Sequence, residues 1–362
     1  GIPSGEQREL IDRWIAGNPP PSSRRIGTGW EPYPLSLRIV NWIKWDLGMQ
    51  RHGAPGLSDS ATLSLATQTR QLAARLEYHL LGNHLWANAK ALVFAGVYFD
   101  GEEAERWLAK GLQLVERELA EQVLPDGGHF ELSPMYHAIF LEDLLDLFNL
   151  HAVFPNRIPA EVARNIGDKA AEMLWWLRML THPDGRPAQF NDCALDGASL
   201  VQELAGLAER LGVRGTVCGT AKPVLFVSSG YARLEKGPAV LLADVGRAGP
   251  DYMPGHAHAD ALSFELSLWG KRLFINGGIS TYDVSPTRLR ERSTSAHNTV
   301  TVDGRNSSEI WSSFRLGRRI ESVSAEMSET KGEIMLEGEF EGFHRACRRN
   351  VHRRVWKLGR QR

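Results

Sequence analysis

The chain has 362 residues, of which 43% are hydrophobic and 23% are charged, and its formal net charge is -1. These values are typical of a globular protein with a large core, and they exclude extensive disorder and a global charge bias toward nucleic acid or membranes. At roughly 100 to 200 residues per domain, the length predicts two domains.

Cysteine content and local hydropathy give few further clues. Cys193, Cys218 and Cys347 are odd in number and widely spaced, so neither a disulfide framework nor a cysteine-based zinc site is expected. The first ten residues, GIPSGEQREL, lack the basic start and the apolar core of a signal peptide. No apolar run approaches the roughly 18 residues of a membrane span.

Residues 1–215 are predicted to form a helical domain. Seven stretches place apolar residues at intervals of three and four, which is the period of an amphipathic helix. They cover residues 35–49, 64–82, 85–99, 102–124, 135–154, 161–180 and 198–212. Successive helical hairpins of this kind form an open solenoid or a closed ring, and the loops line its groove.

Residues 216–362 are predicted to form a β domain, because the apolar pattern changes to a period of two. The predicted strands cover residues 223–229, 231–236, 239–245, 262–269, 272–278, 298–304, 319–327 and 333–340. Their spacing favours an antiparallel sandwich. The predicted fold class is therefore α+β with two domains, and a pocket is expected where the domains meet.

Two helical stretches carry candidate site residues. In GNHLWANAKAL, Asn83 and His84 lie where one helix ends and the next begins, and helix capping by Asn83 is the alternative. In PDGGHFELSPMYHAIF, Ser133 can cap a helix that starts at Pro134. Tyr136 then falls in the first turn and points at the mouth of the ring, unless it is only a packing aromatic.

The stretch PGHAHADALSF sets two histidines and an aspartate at alternate positions ahead of a predicted strand. Alternation places His256, His258 and Asp260 on one side of an extended backbone. Imidazole can act as an acid, a base or a metal ligand near neutral pH, so the cluster is a candidate site. The alternative is that the histidines only cap backbone groups.

A second polar cluster follows in the loop that leads to the predicted strand 298–304. Its arginines, Arg288, Arg290 and Arg292, can bind a carboxylate or sulfate, although an arginine-rich solvated face is the alternative. His297 and Asn298 then begin the strand. His258 and His297 could share one metal ion, since zinc commonly takes imidazole ligands.

Four ordered stretches resemble the heparinase II/III family of polysaccharide lyases. They are GNH (82–84), SPMYH (133–137), GHAHADALSFELSLWGKRLFINGGISTYD (255–283) and RSTSAHNTVTVDGRNSSEIW (292–311). The resemblance implies an incomplete (α/α) toroid followed by antiparallel β-sheets. It also implies cleavage of uronate-containing polysaccharides by β-elimination, and it covers the chain from about residue 25 to its end.

The resemblance also implies roles for individual residues. Tyr136 resembles the catalytic tyrosine and His256 the catalytic histidine, and they share the roles of base and acid. Asn83 or His84 would face the substrate carboxylate, and both choices stay open. Glu131, His137, Arg288 and Arg292 are expected to line the substrate site.

The metal site of some relatives has counterparts here. His258 and His297 resemble two ligands of a structural zinc ion, and Asn276 stands where those relatives have a third ligand, an aspartate. An amide oxygen is a poorer zinc ligand than a carboxylate. The resemblance further implies additional helices before Trp30 and strands after residue 358, so the chain is expected to be a fragment or a compact variant.

Two other functions remain open at this point. Glu131 and Asp192 could be the paired carboxylates of a glycoside hydrolase on a similar helical scaffold. The chain could also be a polysaccharide-binding protein without catalysis. The expected partner is an anionic polysaccharide rather than nucleic acid, the oligomeric state is open, and the resemblance implies a periplasmic or secreted location.

Overall fold

The computed structural model describes residues 4–22, 26–213, 223–330, 332–342 and 350–359. Two predictions fall outside these residues: the domain boundary near residue 215, and the surroundings of Cys218 and Cys347. The chain divides into two compact units. The first comprises Gly1–Ala120 and Leu147–Ala163, and the second comprises Glu121–Asp146 and Arg164–Arg362.

Eight helices precede the strands in the described part of the chain. They are α1 Ser4–Gly17, α2 Pro32–Arg51, α3 Asp59–Ala73, α4 Gly82–Tyr98, α5 Glu102–Gln122, α6 Pro134–Val153, α7 Ala160–Met179 and α8 Val201–Arg210. A short helix, α9 Pro286–Glu291, lies among the strands. None of these helices has the length and apolar character that a membrane span requires.

The core of the first unit is built around α4. This helix is buried on all sides over most of its length, and α2 and α3 contact it. A Cβ atom added at Gly96 would lie 2.6 Å from the backbone nitrogen of Leu108, so only glycine allows α5 to approach this closely. The close packing fixes α4, whose first turn carries Asn83 and His84.

The described residues of the second unit form three antiparallel sheets. The strands are β1 Val224–Phe226, β2 Tyr231–Lys236, β3 Ala239–Asp244, β4 Phe264–Leu268, β5 Lys271–Phe274, β6 Ile310–Ser312, β7 Arg315–Leu316, β8 Ser324–Thr330, β9 Glu333–Gly342 and β10 Asn350–Leu358. Strands β1 to β5 form one sheet in sequence order, β10, β9 and β8 form a second, and β6 pairs with β7.

Alternate residues of the five-stranded sheet face different surroundings. Leu234 on β2 and Leu241 on β3 pack in one apolar cluster with Leu336 of β9 and Trp356 of β10. The intervening residues face the other side, where Tyr231 donates a hydrogen bond from its hydroxyl to the carbonyl of Leu132. The sheet therefore has one face packed on a second sheet and one face turned toward the loop before α6.

Two predicted elements differ from the structure. The helix expected over 64–82 is α3, which ends at Ala73, and turns with a positive φ at Leu81 precede α4. The strand expected over 298–304 does not form. The Asn298 amide donates to the carbonyls of Phe264 and Ile275 instead, so side-chain hydrogen bonds replace a strand ladder there.

Candidate active site

Asp192 is the centre of a buried cluster in the second unit. Its carboxylate accepts four hydrogen bonds, two from Arg288 at 2.5 and 2.6 Å and one each from His256 and His258 at 2.8 Å. Arg288 and Asp192 have fully buried side chains, so this bidentate ion pair is shielded from water. The aspartate therefore fixes the orientation of both imidazole rings.

The loop that carries the two histidines is irregular rather than extended. Residues 254–263 form turns, and β4 begins only at Phe264. The Arg292 guanidinium donates to the Ala257 carbonyl, and the Ala259 backbone N–H donates to the Arg292 carbonyl at 3.0 Å. Because Arg292 is the C-cap residue of α9, this short helix holds the histidine loop in place.

Asn191 connects this loop to the start of α6. Its amide Nδ2 donates to the Leu132 carbonyl at 3.0 Å, and its Oδ1 accepts from the backbone N–H of His258 at 2.9 Å. Its φ of 56° is a conformation that asparagine tolerates better than most residues. The side chain of Ser133 also binds this segment, because its hydroxyl donates to the Asp192 carbonyl.

Tyr136 lies directly against His256. The Ser133 Oγ accepts from the backbone N–H of Tyr136 at 3.3 Å, which confirms the predicted cap and places the tyrosine in the first turn of α6. The tyrosine and imidazole ring centroids are 4.1 Å apart, with planes 35° apart. Within the second unit, the structure thus brings together the two predicted catalytic side chains.

Two aromatic residues complete this cluster. The Tyr282 hydroxyl lies 2.9 Å from the Tyr136 hydroxyl, and the Tyr282 ring stacks on Phe314 with planes 10° apart. Phe314 is 44% exposed and Tyr282 is 36% exposed, so both rings reach the surface. No sequence pattern indicates Tyr282 or Phe314, since an aromatic residue in a loop belongs to no periodic pattern.

Nearby charges control the pKa of His256. Burial lowers this pKa, but the carboxylates of Glu131 and Asp192 outweigh burial and raise it overall. The His256 Nε2 atom lies 3.6 Å from Glu131 Oε2, and the imidazole is still 14% exposed. The two carboxylates therefore favour the protonated form of a partly accessible imidazole.

Tyr136 and Asp192 have shifted pKa values for different reasons. Burial and the neighbouring Tyr282 hydroxyl raise the pKa of Tyr136, so its hydroxyl keeps its proton at neutral pH. Burial also acts to raise the pKa of Asp192, but hydrogen bonds from His256, His258 and Arg288 lower it overall. The aspartate is consequently ionised, and the imidazole N–H groups donate to it.

The two predicted substrate-binding arginines do not face a substrate. Both guanidinium groups are buried, and Arg292 donates to the backbone carbonyls of Ala257, Ser312 and Ser313. Arg288 is engaged by Asp192 and by the Ser313 carbonyl. The expected role is corrected: these arginines stabilise the loops around His256, since their donors are already used.

His137 and Glu131 are also buried, against the prediction that they bind substrate. The His137 ring stacks on Trp176 at 4.3 Å, and its Nε2 lies 2.9 Å from the Met173 carbonyl. Burial lowers the pKa of His137 to about 3, so this histidine is a neutral packing residue. Glu131 affects the site through its charge beside His256.

Asn83 and His84 lie in the first unit. The imidazole Nδ1 of His84 lies 3.1 Å from the Glu77 carboxylate, and its ring packs against Tyr33 with centroids 4.5 Å apart. The Asn88 amide donates to the same glutamate at 3.0 Å, so Glu77 orients the imidazole from a fixed position. The expected role of Asn83 and His84 toward a substrate carboxylate stays a prediction.

His258, which contacts Asp192, also contacts a second buried histidine, His297. His258 Nδ1 is 3.2 Å from His297 Nε2, and all three side chains His258, His297 and Asp260 are buried. Burial lowers the pKa of His297 to about 4, so the ring is neutral and suited to bind a cation. His297 follows a short helical turn rather than beginning a strand, which corrects that prediction.

Two family profiles match nearly the whole chain. They are "Heparinase II/III N-terminus" over residues 9–210 and "Heparinase II/III-like, C-terminal" over residues 219–361. Solved structures are similar as well. The crystal structure of heparinase III has a TM-score of 0.75 at 22% identity and covers 98% of this chain and 57% of that chain. The likeness confirms the predicted α+β fold.

Curated relatives are named heparin-sulfate lyases. That of Bacteroides stercoris is 28% identical over 63% of this chain and 37% of its own length. That of Bacteroides thetaiotaomicron is 25% identical over 82% of this chain and 48% of its own length. That of Pedobacter heparinus is 27% identical over 70% of this chain and 41% of its own length. The chain thus spans less than half the length of these relatives.

Proposed function

The chain belongs to the heparinase II/III family, and from this membership we propose that it is a polysaccharide lyase that cleaves a uronate-containing glycosaminoglycan by β-elimination. The heparin-sulfate lyases among its relatives favour heparan sulfate as the substrate. The observation that carries the proposal is the ring contact between Tyr136 and His256, with the carboxylates of Asp192 and Glu131 beside the imidazole.

The proposed reaction requires two proton transfers. A base removes the C5 proton of the uronate, and an acid protonates the O4 atom that leaves. Positioned acid and base groups each contribute about 100- to 10,000-fold to such a rate. Tyr136 and His256 take these two roles between them, because their rings are in contact and each side chain is partly exposed.

The developing negative charge on the substrate must also be balanced. The carboxylates of Glu131 and Asp192 raise the pKa of His256 and so stabilise its imidazolium form, whether that form donates a proton to O4 or results from uptake of the C5 proton. Preorganised donors of this kind are worth roughly 3 to 4 kcal/mol each in a transition state. In the same proposal, Asn83 and His84 remain the predicted partners of the uronate carboxylate.

A glycoside hydrolase is less well supported. Such an enzyme needs one carboxylic acid that holds a proton and one free carboxylate, both facing the substrate. Asp192 instead has its lone pairs filled by Arg288 and two histidines, and Glu131 is buried beside His256. The contact between the tyrosine and histidine rings likewise argues against a binding protein without catalysis.

The location and partners of the protein follow from the same family membership. We propose that it acts in the periplasm or outside the cell and that an anionic polysaccharide is its partner.

Tyr136→Phe tests the proposed lyase directly. The variant keeps the ring contact with His256 but loses the hydroxyl. Because the hydroxyl is needed for proton transfer, kcat should fall by about 100- to 10,000-fold. Polysaccharide binding should stay nearly unchanged. Activity is measured as the ultraviolet absorbance of the new C4=C5 double bond on heparan sulfate, heparin and alginate. Binding is measured separately by calorimetry with the same polymers.

The matched control is Tyr78→Phe, which removes a hydroxyl from an exposed tyrosine in the first unit. It should leave both measurements unchanged. Full activity in Tyr136→Phe would remove this residue from the mechanism. Cleavage products without the double bond would identify a hydrolase, and binding without any product would identify a polysaccharide-binding protein.

A further inference from the structure

The hydroxyl of Tyr136 has a neighbour that can exchange a proton with it. The Tyr282 hydroxyl lies 2.9 Å away, which is the distance of a hydrogen bond in which either oxygen can be the donor. Tyr136 is fixed in the first turn of α6, and Tyr282 lies in the loop before α9. The tertiary structure therefore joins two phenol hydroxyls at the proposed site.

The ring of Tyr282 is held by two neighbours. It stacks on Phe314 with centroids 5.7 Å apart, and the guanidinium carbon of Arg288 lies 5.3 Å from its centroid. The Ser313 hydroxyl donates to the Asp283 carbonyl at 2.9 Å, so the segments that carry the two stacked rings are bonded to each other. These contacts fix the ring without its hydroxyl, so phenylalanine at this position should keep the same placement.

Tyr136 needs a proton-exchange partner in each turnover of the proposed lyase. Whether it gives a proton to O4 or takes one from C5, it ends the reaction in the wrong protonation state for the next one. Burial and the Tyr282 hydroxyl raise its pKa, and the carboxylates of Asp192 and Glu131 raise it further, so a phenolate confined to this oxygen is costly. A neighbour that shares the charge would restore the proton at lower cost.

Tyr282 tolerates a negative charge better than Tyr136 does. Burial raises the pKa of Tyr282 to about 12, but the hydrogen bond with Tyr136 and the charge of Arg288 oppose burial. Its pKa is therefore raised less than that of Tyr136. The side chain is also 36% exposed, so water can reach it. A proton can thus pass between water and the Tyr136 oxygen by way of Tyr282.

We infer that Tyr282 is a positioning residue that relays a proton between Tyr136 and solvent. The inference rests on the proposed lyase activity, and it names a residue that acts through Tyr136 rather than on the substrate.

The relay balances the protons of one turnover. If Tyr136 is the acid, its proton goes to O4, the Tyr282 proton moves to the Tyr136 oxygen, and water returns a proton to Tyr282. His256, which has taken the C5 proton, releases it to solvent. If Tyr136 is the base, the same transfers run in the opposite direction, and His256 regains from solvent the proton that it gave to O4.

Tyr282→Phe tests the relay, because it keeps the ring and removes the hydroxyl. Tyr136 starts in the correct protonation state, so the first turnover should run at the wild-type rate and form about one double bond per enzyme molecule in stopped-flow absorbance. Later turnovers should be slow, with kcat lower by about 100-fold. KM should fall with kcat, because the slowed step follows the chemistry. Imidazole buffer, a small proton carrier, should restore kcat at constant pH.

The matched control is Tyr252→Phe, which removes the hydroxyl of an exposed tyrosine that contacts Glu121 instead. It should behave as wild type in every measurement. A lower kcat in Tyr282→Phe without the fast first turnover and without rescue by imidazole would assign the hydroxyl to packing or to the chemical step, and would overturn the relay.

A measurement without catalysis tests the contact itself. Tyrosine is isotopically labelled at Cζ, whose NMR signal responds to hydrogen bonding of the hydroxyl. Tyr136→Phe should move the Tyr282 signal but not the Tyr252 signal. An unmoved Tyr282 signal, or full activity in Tyr282→Phe, would overturn the relay alone, whereas absence of unsaturated product in wild type would overturn the proposed lyase together with the relay.

Discussion

His256 and His182 are both held beside carboxylates in the second unit, yet only one of them faces a surface. His182 has Nε2 at 2.7 Å from Glu265 and Nδ1 at 2.7 Å from the Ser267 hydroxyl, which links a serine, a histidine and an acid as in a catalytic triad but with the two ring nitrogens exchanged. His182 and Glu265 have side chains with 0% exposure, whereas His256 is 14% exposed.

Access to solvent therefore separates the histidine proposed as catalytic from a structural one. No substrate reaches Ser267, so the His182 cluster serves to join the turn after α7 to strand β4. His256 also has a short hydrogen bond to a buried carboxylate, at 2.8 Å to Asp192, but another side of its ring meets Tyr136 and Phe314. Hydrogen-bond geometry alone would have selected both histidines as catalytic.

The largest loss of stability is expected when the positive charge of Arg288, the buried partner of Asp192, is removed. Arg288→Met leaves the buried carboxylate of Asp192 without its guanidinium, and breaking a buried ion pair in this way costs about 3 to 5 kcal/mol. The free energy of unfolding, measured in urea, should fall by that amount. Arg290→Met, an exposed neighbour on α9, should stay within about 0.5 kcal/mol of wild type. Equal effects of the two variants would refute the role given to Arg288.

An intermediate loss of stability is expected when His182, the buried histidine, is replaced. His182→Leu leaves the Ser267 hydroxyl and one Glu265 oxygen with fewer partners, which should lower the free energy of unfolding by about 1 to 3 kcal/mol. The kcat of the folded fraction should not change, and an acylating serine reagent should fail to label Ser267 in wild type. Labelling at Ser267 would show that this cluster is accessible, which would contradict the difference in access between His182 and His256.

The smallest change in rate is expected from a variant that tests the role of His256. Glu131→Gln removes a negative charge that favours the imidazolium, so the pKa of His256 should decrease. The matching inflection in the pH dependence of kcat should move to lower pH, whether His256 acts as acid or base. The rate at the optimum should fall by less than about tenfold, or 1.4 kcal/mol in the barrier. An inflection that stays in place would mean that it belongs to another group.

Periodicity was sufficient for most of the fold. The interval of three and four residues indicated α4 to α7, and the period of two indicated β2, β3 and β9. It failed at 298–304, where Asn298 and Thr299 bind backbone carbonyls through their side chains. Periodicity reports which face is buried, but it does not report what a polar side chain will bind.

Local patterns and short motifs were enough to predict the order of helices and strands and the family, and they pointed to the pair Tyr136 and His256. Which polar residues are reachable is visible only in the folded chain. Arg288 and Arg292 are buried supports, and Tyr282 lies beside Tyr136 although 146 positions separate them. Burial and contact are properties of distant segments brought together, and no single stretch of sequence contains them.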